Sequence, residues 1–93
     1  MDITIQSKKS GKYLTVAGNS SQNGAIIVEE SHGGMNGQNF RLQESKPGSG
    51  EFFIYTFCGK ALDCCEGSKK NGTQVIQWDH NGEDNQVWLM SRI

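Results

Sequence analysis

Asn71-Gly72-Thr73-Gln74-Val75-Ile76-Gln77-Trp78-Asp79-His80-Asn81-Gly82-Glu83-Asp84-Asn85-Gln86-Val87-Trp88-Leu89-Met90 packs two tryptophans, a polar turn and a short apolar run into one segment. The stretch is also half of a repeat. Sliding the chain by 48 residues lays residues 11–42 over residues 59–90 without a gap, and nine pairs are identical. They are Gly11/Gly59, Lys12/Lys60, Leu14/Leu62, Ser20/Ser68, Asn23/Asn71, Gly24/Gly72, His32/His80, Gly34/Gly82 and Gln38/Gln86. Self-similarity at such a period marks one supersecondary unit used twice around a shared core.

Outward from this stretch, local patterning gives short strands. Ile3-Thr4-Ile5, residues 13–16, residues 25–30 and residues 38–42 are alternating or β-branched, and glycine-rich or polar turns separate them. The second half repeats the series over residues 52–57, 60–64, 74–78 and 87–90. Between the halves lies Ser45-Lys46-Pro47-Gly48-Ser49-Gly50, the only stretch with a proline. We read residues 1–93 as one domain, with repeat one at 1–44, a linker at 45–50 and repeat two at 51–93, because neither half buries a core alone. Twelve glycines, one proline and 34% apolar residues predict an all-β chain with almost no helix.

Composition narrows the function classes. A formal charge of −1 with interspersed signs gives no electrostatic footprint for nucleic acid or an anionic membrane. The start Met-Asp-Ile-Thr-Ile lacks a basic region and an apolar h-region, and no run of ~18 apolar residues occurs, so a cytoplasmic protein without membrane insertion is expected, secretion by a non-standard route aside. Cys58, Cys64 and Cys65 are odd in number and two are adjacent, which suits reduced thiols. Lys69-Lys70 reads as a solvated turn.

The repeat comparison separates shared from unique positions. Leu14/Leu62, Ile27/Val75, Phe40/Trp88 and Leu42/Met90 keep apolar character, as a common core requires. Thr15 aligns with Asp63, Glu30 with Trp78, and Gly37 with Asn85. Only the second repeat owns that polar and aromatic trio.

Gln86-Val87-Trp88, preceded by Asn85 and the Asn81-Gly82 turn, with Trp78, Asn71-Gly72 and Leu62-Asp63 upstream, resembles a ricin B-type lectin repeat with its Q-x-W signature. Gln38-Asn39-Phe40 resembles a second copy with phenylalanine in the tryptophan position. The resemblance implies a β-trefoil, in which three four-stranded repeats surround a pseudo-threefold axis. Two repeats per chain leave open strand edges and an exposed apolar centre, which disfavours a lone chain. Completion by oligomerisation is therefore expected. A homotrimer supplies six repeats, enough for two trefoils; a two-repeat sandwich or small barrel that dimerises is the other architecture. A βγ-crystallin-like domain is a third, from Phe52, Phe57 and Gly59. The disulfide common in secreted relatives is not expected, since His80 stands where the partner of Cys64 would be.

The resemblance also implies a sugar site. Asp63 would accept hydrogen bonds from vicinal hydroxyls, Trp78 would stack on the apolar face of a pyranose, and Asn85 would donate to another hydroxyl. Gln86 would hold the aspartate, and His80 lies in the right turn to reach a bound sugar, although His32 at the same place in repeat one points to a shared structural role. The expected function is a non-catalytic lectin for a galactose-type or related sugar, multivalent through oligomerisation, with repeat one silent. Its partners are then glycans and further copies of itself. A protein-interaction or structural trefoil without sugar binding is the alternative. No cofactor or metal is expected: the Asp79–Asp84 segment lacks the closing glutamate of a calcium loop, and Cys64 with Cys65 lacks zinc-ligand spacing. Glu29/Glu30 and Glu83/Asp84 are sequence neighbours rather than two carboxylates across a cleft, so no glycosidase arrangement is expected.

Overall fold

Alternation and turn chemistry fold this chain into strands and tight turns. The computed structural model describes residues 2–65 and 71–90. Repeat one holds β1 (Asp2–Ile3), β2 (Tyr13–Val16), β3 (Ile27–Glu30) and β4 (Phe40–Glu44). Repeat two holds β5 (Glu51–Thr56), β6 (Ala61–Cys64), β7 (Val75–Trp78) and β8 (Trp88–Leu89). The only helical segments among the described residues are one-turn 3-10 pieces, of which Asn36–Gln38 and Asp84–Gln86 occupy matching places. In repeat one this displaces the expected start of the fourth strand from residue 38 to Phe40, because Gln38 turns inward instead of joining the ladder, and in repeat two the strand starts at Trp88 rather than Val87.

Both repeats pair their strands alike. β1 runs antiparallel to β4 and β5 to β8, while β2–β3 and β6–β7 form the hairpins. Gln6 bridges Tyr13 and Tyr55 pairs with Ala61, so the offset is 48 at the second partner and 49 at the first. Repeat one thus carries one extra residue in its first hairpin loop. The repeats are joined by the β4–β5 ladder, which runs from Phe40↔Thr56 to Glu44↔Phe52 and continues the sheet as β1-β4-β5-β6-β7. Residues 45–50 close this hairpin: Ser45 N–H donates to Glu51 O, and Gly50, at φ 78°–75° together with Gly48, donates its N–H to the Glu44 carboxylate. These two positions need glycine's tolerance of the left-handed region.

Val16, Ile27, Phe40, Ile54 and Leu62 form the buried cluster, with Leu14, Leu42, Val75 and Trp88 packed on it. These include the apolar positions that the repeat shares. Trp88 also donates its indole N–H to Leu62 O at 3.1 Å, which fixes the ring toward the centre. Met90 differs from its counterpart Leu42: it is 45% exposed, and Leu89 beside it is 76% exposed. The centre is open beside them. An apolar opening of about 530 Å³ runs between Ile5, Leu14, Ile27, Val75, Trp88 and Met90.

Candidate functional site

The glutamines at equivalent positions set the frame of the site. Gln38 donates to Ser31 O (2.9 Å) and Thr15 Oγ1 (3.3 Å), and its Oε1 accepts from Gly33 N–H. Gln86 repeats every contact 48 residues on, donating to Asp79 O (3.0 Å) and Asp63 Oδ2 (2.8 Å) and accepting from Asn81 N–H (2.9 Å). Both amides are buried and satisfied, so each ties a strand, a turn and a 3-10 segment together. The Lys69-Lys70 turn lies outside the described residues.

What hangs on that frame differs between repeats. In repeat two, Asp63 is 4% exposed at the middle of β6, and Asn85 donates to its Oδ1 at 3.0 Å. Each carboxylate oxygen therefore has an amide donor and keeps a further lone pair. Trp78, at the end of β7, is 44% exposed and flanks the same pocket, about 360 Å³, whose other walls are Gly24, Cys65, Ile76 and Asn81. In repeat one, Thr15 replaces the carboxylate and already donates its hydroxyl to Tyr13 O. Gly37 replaces Asn85, and its N–H is taken by Asn19 Oδ1 at 2.8 Å. A Cβ at residue 37 would lie 2.7 Å from that oxygen and 3.0 Å from Val16 O, so no side chain fits where Asn85 stands in repeat two.

Asp63, Trp78 and Asn85 are brought together, and Gln86 sits behind them on Asp63. His80 is placed differently. Its ring meets Phe53 edge-on at 4.8 Å, and its Nδ1 lies 3.3 Å from the Tyr55 hydroxyl, while His32 meets Tyr13 edge-on at 5.1 Å. Both histidines pack on aromatics of their own repeat, and His80 does not line the pocket. Gly24 and Asn81 read as turn residues in the sequence and Cys65 and Ile76 carried no site motif, yet all four line the pocket. Cys65 aligns with Ala17, a difference between repeats that marks it, whereas Gly24 reaches the pocket from the neighbouring repeat.

Asp79 meets the site's frame through its backbone carbonyl, which accepts from Gln86. Its carboxylate accepts from Lys60 Nζ at 2.8 Å and from Asn23 Nδ2 at 3.0 Å. The Lys60 hydrogen bond first, then Asn23 and the Lys60 charge, hold its pKa below the ordinary aspartate value. A depressed carboxylate contributes stability above its unfolded pKa and loses it as pH falls through the folded one. Asp79→Asn is therefore expected to lessen the fall in melting temperature below about pH 4, read by thermal melts of both proteins against pH. The effect is small, because the group is exposed and screened.

Residues 2–78 match the family model described as ricin-type beta-trefoil lectin domain-like. The chain belongs to that family. The matched span holds Asp63 and Trp78 and stops before Asn85, Gln86 and Trp88. Among solved structures, this lectin-like domain is similar to ThreeFoil, a designed threefold-symmetric protein, with 34% identity, TM-score 0.88 and coverage of 95% of this chain and 62% of that one. It is similar to 1,3Gal43A, an exo-beta-1,3-galactanase from Clostridium thermocellum, with 29% identity, TM-score 0.85 and coverage of 92% and 18%. The Polyporus squamosus lectin, solved with the epitope Neu5Aca2-6Galb1-4GlcNAc, shares the fold at 21% identity and TM-score 0.80, with coverage of 99% and 33%. The chain thus spans less than two thirds of each of these structures. No match is found among curated proteins. The β-trefoil-type repeat architecture and a carbohydrate-binding type of module follow from the family and the fold together. Among the described residues no group of three His, Cys, Asp or Glu is gathered as a metal site, and the three cysteines are free thiols.

Proposed function

We propose that this chain is a non-catalytic lectin whose single sugar site is the pocket of repeat two. The observation that carries this reading is the oriented carboxylate of Asp63, pinned by Asn85 and Gln86 beside the exposed ring of Trp78. A pyranose presents C–H groups on one face and hydroxyls on its rim. Asp63 accepts from two adjacent hydroxyls, Trp78 stacks on the ring, and the Asn85 carbonyl and its second N–H serve a third hydroxyl. Gln86 positions Asp63 and touches no sugar. The family favours a galactose-type or related sugar.

The matching place in repeat one offers a hydroxyl already engaged, a glutamate for the aromatic ring and a glycine for the asparagine, which supports one site per chain. Such a shallow site is weak alone, so avidity comes from association of several chains. Three chains supply six repeats, the number that two complete trefoils need.

A glycan array probed with the wild type and with Trp78→Ala tests the reading. Binding to galactose-terminated glycans is expected, with at least about ten-fold weaker signal for the variant, since a stacking ring is lost. Its melting temperature should fall only modestly, because the ring is 44% exposed. Absence of any glycan signal from the wild type would retire the lectin reading in favour of an interaction module.

A further inference from the structure

Trp78 stands on a strand that the other repeat covers. Gln77, fully buried, donates through its side-chain amide to Ser20 O and Gln22 O at 2.9 Å each. Its backbone is tied to the same stretch: the carbonyl accepts from Gly24 N–H at 2.8 Å, and the N–H donates to Ala25 O at 2.9 Å. On the other side of the ring, Asp79 N–H donates to Asn23 Oδ1 at 2.9 Å, and Asn23 Nδ2 donates to the Asp79 carboxylate at 3.0 Å. Both sequence neighbours of Trp78 are therefore held by the turn 20–24 of repeat one. Gly24, next to Asn23, lines the sugar pocket, and a Cβ built there would lie 3.7 Å from Trp78 Cζ3, so the turn passes beside the ring.

The two repeats differ here as they do in the pocket. Glu29 and Glu30 occupy the places of Gln77 and Trp78, and both are exposed, whereas Gln77 is buried under its turn. The strand that the neighbouring repeat covers is the one that carries the ring. A half-exposed ring has few side-chain neighbours to fix its pose, and a ring that must be ordered on binding gives up affinity. Its backbone anchors then decide how ready it is for a ligand.

We infer that repeat one, which supplies neither the aspartate nor the ring, positions the sugar site of repeat two: Asn23, Gly24 and Gln77 are positioning residues that fix Trp78 over the pocket before a pyranose arrives. The inference rests on the reading of the pocket as a sugar site. Gln77 holds the turn as a whole, and Asn23 acts on the ring through Asp79. Because Asn23 and Asp79 are exposed, removing their contact loosens the ring while the fold stands.

Asn23→Ala in the ¹⁵N-labelled 93-residue protein tests it, with methyl β-galactoside as ligand and Gln38→Ala as the control. The control breaks buried hydrogen bonds in repeat one far from the ring, so it destabilises the fold without touching the turn. Asn23→Ala is expected to weaken binding about 3- to 10-fold. Without sugar, it should also lower the heteronuclear NOE of the Trp78 indole N–H and leave that of Trp88, which is bonded to Leu62 O, unchanged. In the folded fraction Gln38→Ala should keep the wild-type affinity and the wild-type Trp78 indole. Unchanged affinity in Asn23→Ala, a Trp78 indole as rigid as in the wild type, or an equal loss of affinity in Gln38→Ala would each overturn the inference. A wild type that binds no glycan retires the lectin reading, and the indole comparison, made without sugar, still decides whether the turn fixes the ring.

Discussion

Replacing Asp63 with alanine is expected to remove measurable glycan binding at the proposed site and to lower stability. The carboxylate is buried and holds the amides of Asn85 and Gln86 at 3.0 and 2.8 Å. Without it, sugar hydroxyls lose a charged acceptor, and hydrogen bonds to charged groups contribute roughly 1.5–3 kcal/mol each. Losing two such bonds weakens a site of this kind by at least about 100-fold, beyond detection for a weak ligand. Folding loses about 1–3 kcal/mol, because amides packed around the carboxylate are left without it. Asp63→Thr separates the two effects. Thr15 accepts from Gln38 at the matching place in repeat one, so threonine should preserve much of the fold while still abolishing binding. Titration with a β-galactoside and a urea melt of each variant supply the two readings.

Gln86→Ala is expected to be the most destabilising change in the site. This amide is fully buried and has three partners, Asp63, Asp79 O and Asn81 N–H, all of which lose it at once. A loss of about 2–4 kcal/mol is a large part of the few kcal/mol expected for so short a chain. Gln38→Ala breaks the same three-way tie in repeat one and should cost a similar amount. The two variants part over sugar. In the folded fraction Gln86→Ala leaves Asp63 unfixed and weakens binding, whereas Gln38→Ala leaves the pocket intact. Denaturant midpoints give the stability loss, and glycan titration at low temperature gives the difference in binding.

Much of this was legible in the sequence because the chain contains its own comparison. Positions that stay apolar at the 48-residue offset, such as Leu14/Leu62 and Phe40/Trp88, are those that meet at the centre. Positions that change, 15/63, 30/78 and 37/85, are those that converge on one pocket in repeat two. The shared Gln38/Gln86 pair was visible as an identity, but its three partners come from the second strand of the repeat and the turn after the third, and no local pattern encodes that convergence. Gln77 was harder still. Within β7 the pair Gln77-Trp78 leaves the inward and outward register open, and Gln77 is the buried one because the turn of the other repeat covers it. His80 follows the shared structural role that its match with His32 suggests: its turn is near the site, but the ring packs on Phe53 and Tyr55. Gly24 enters the pocket from another repeat, a contact that only the tertiary packing reveals.

The central claim, one oriented sugar site per chain, is tested most directly by titrating the ¹⁵N-labelled protein with methyl β-galactoside and following its amide and indole resonances. The account predicts saturable shifts concentrated on the Trp78 indole, the Asn85 side-chain amide and the Asn81 backbone, with residues 15, 30 and 37 of repeat one unmoved. Shifts centred on repeat one, or no saturable change at millimolar sugar across galactosides and related pyranosides, would contradict it.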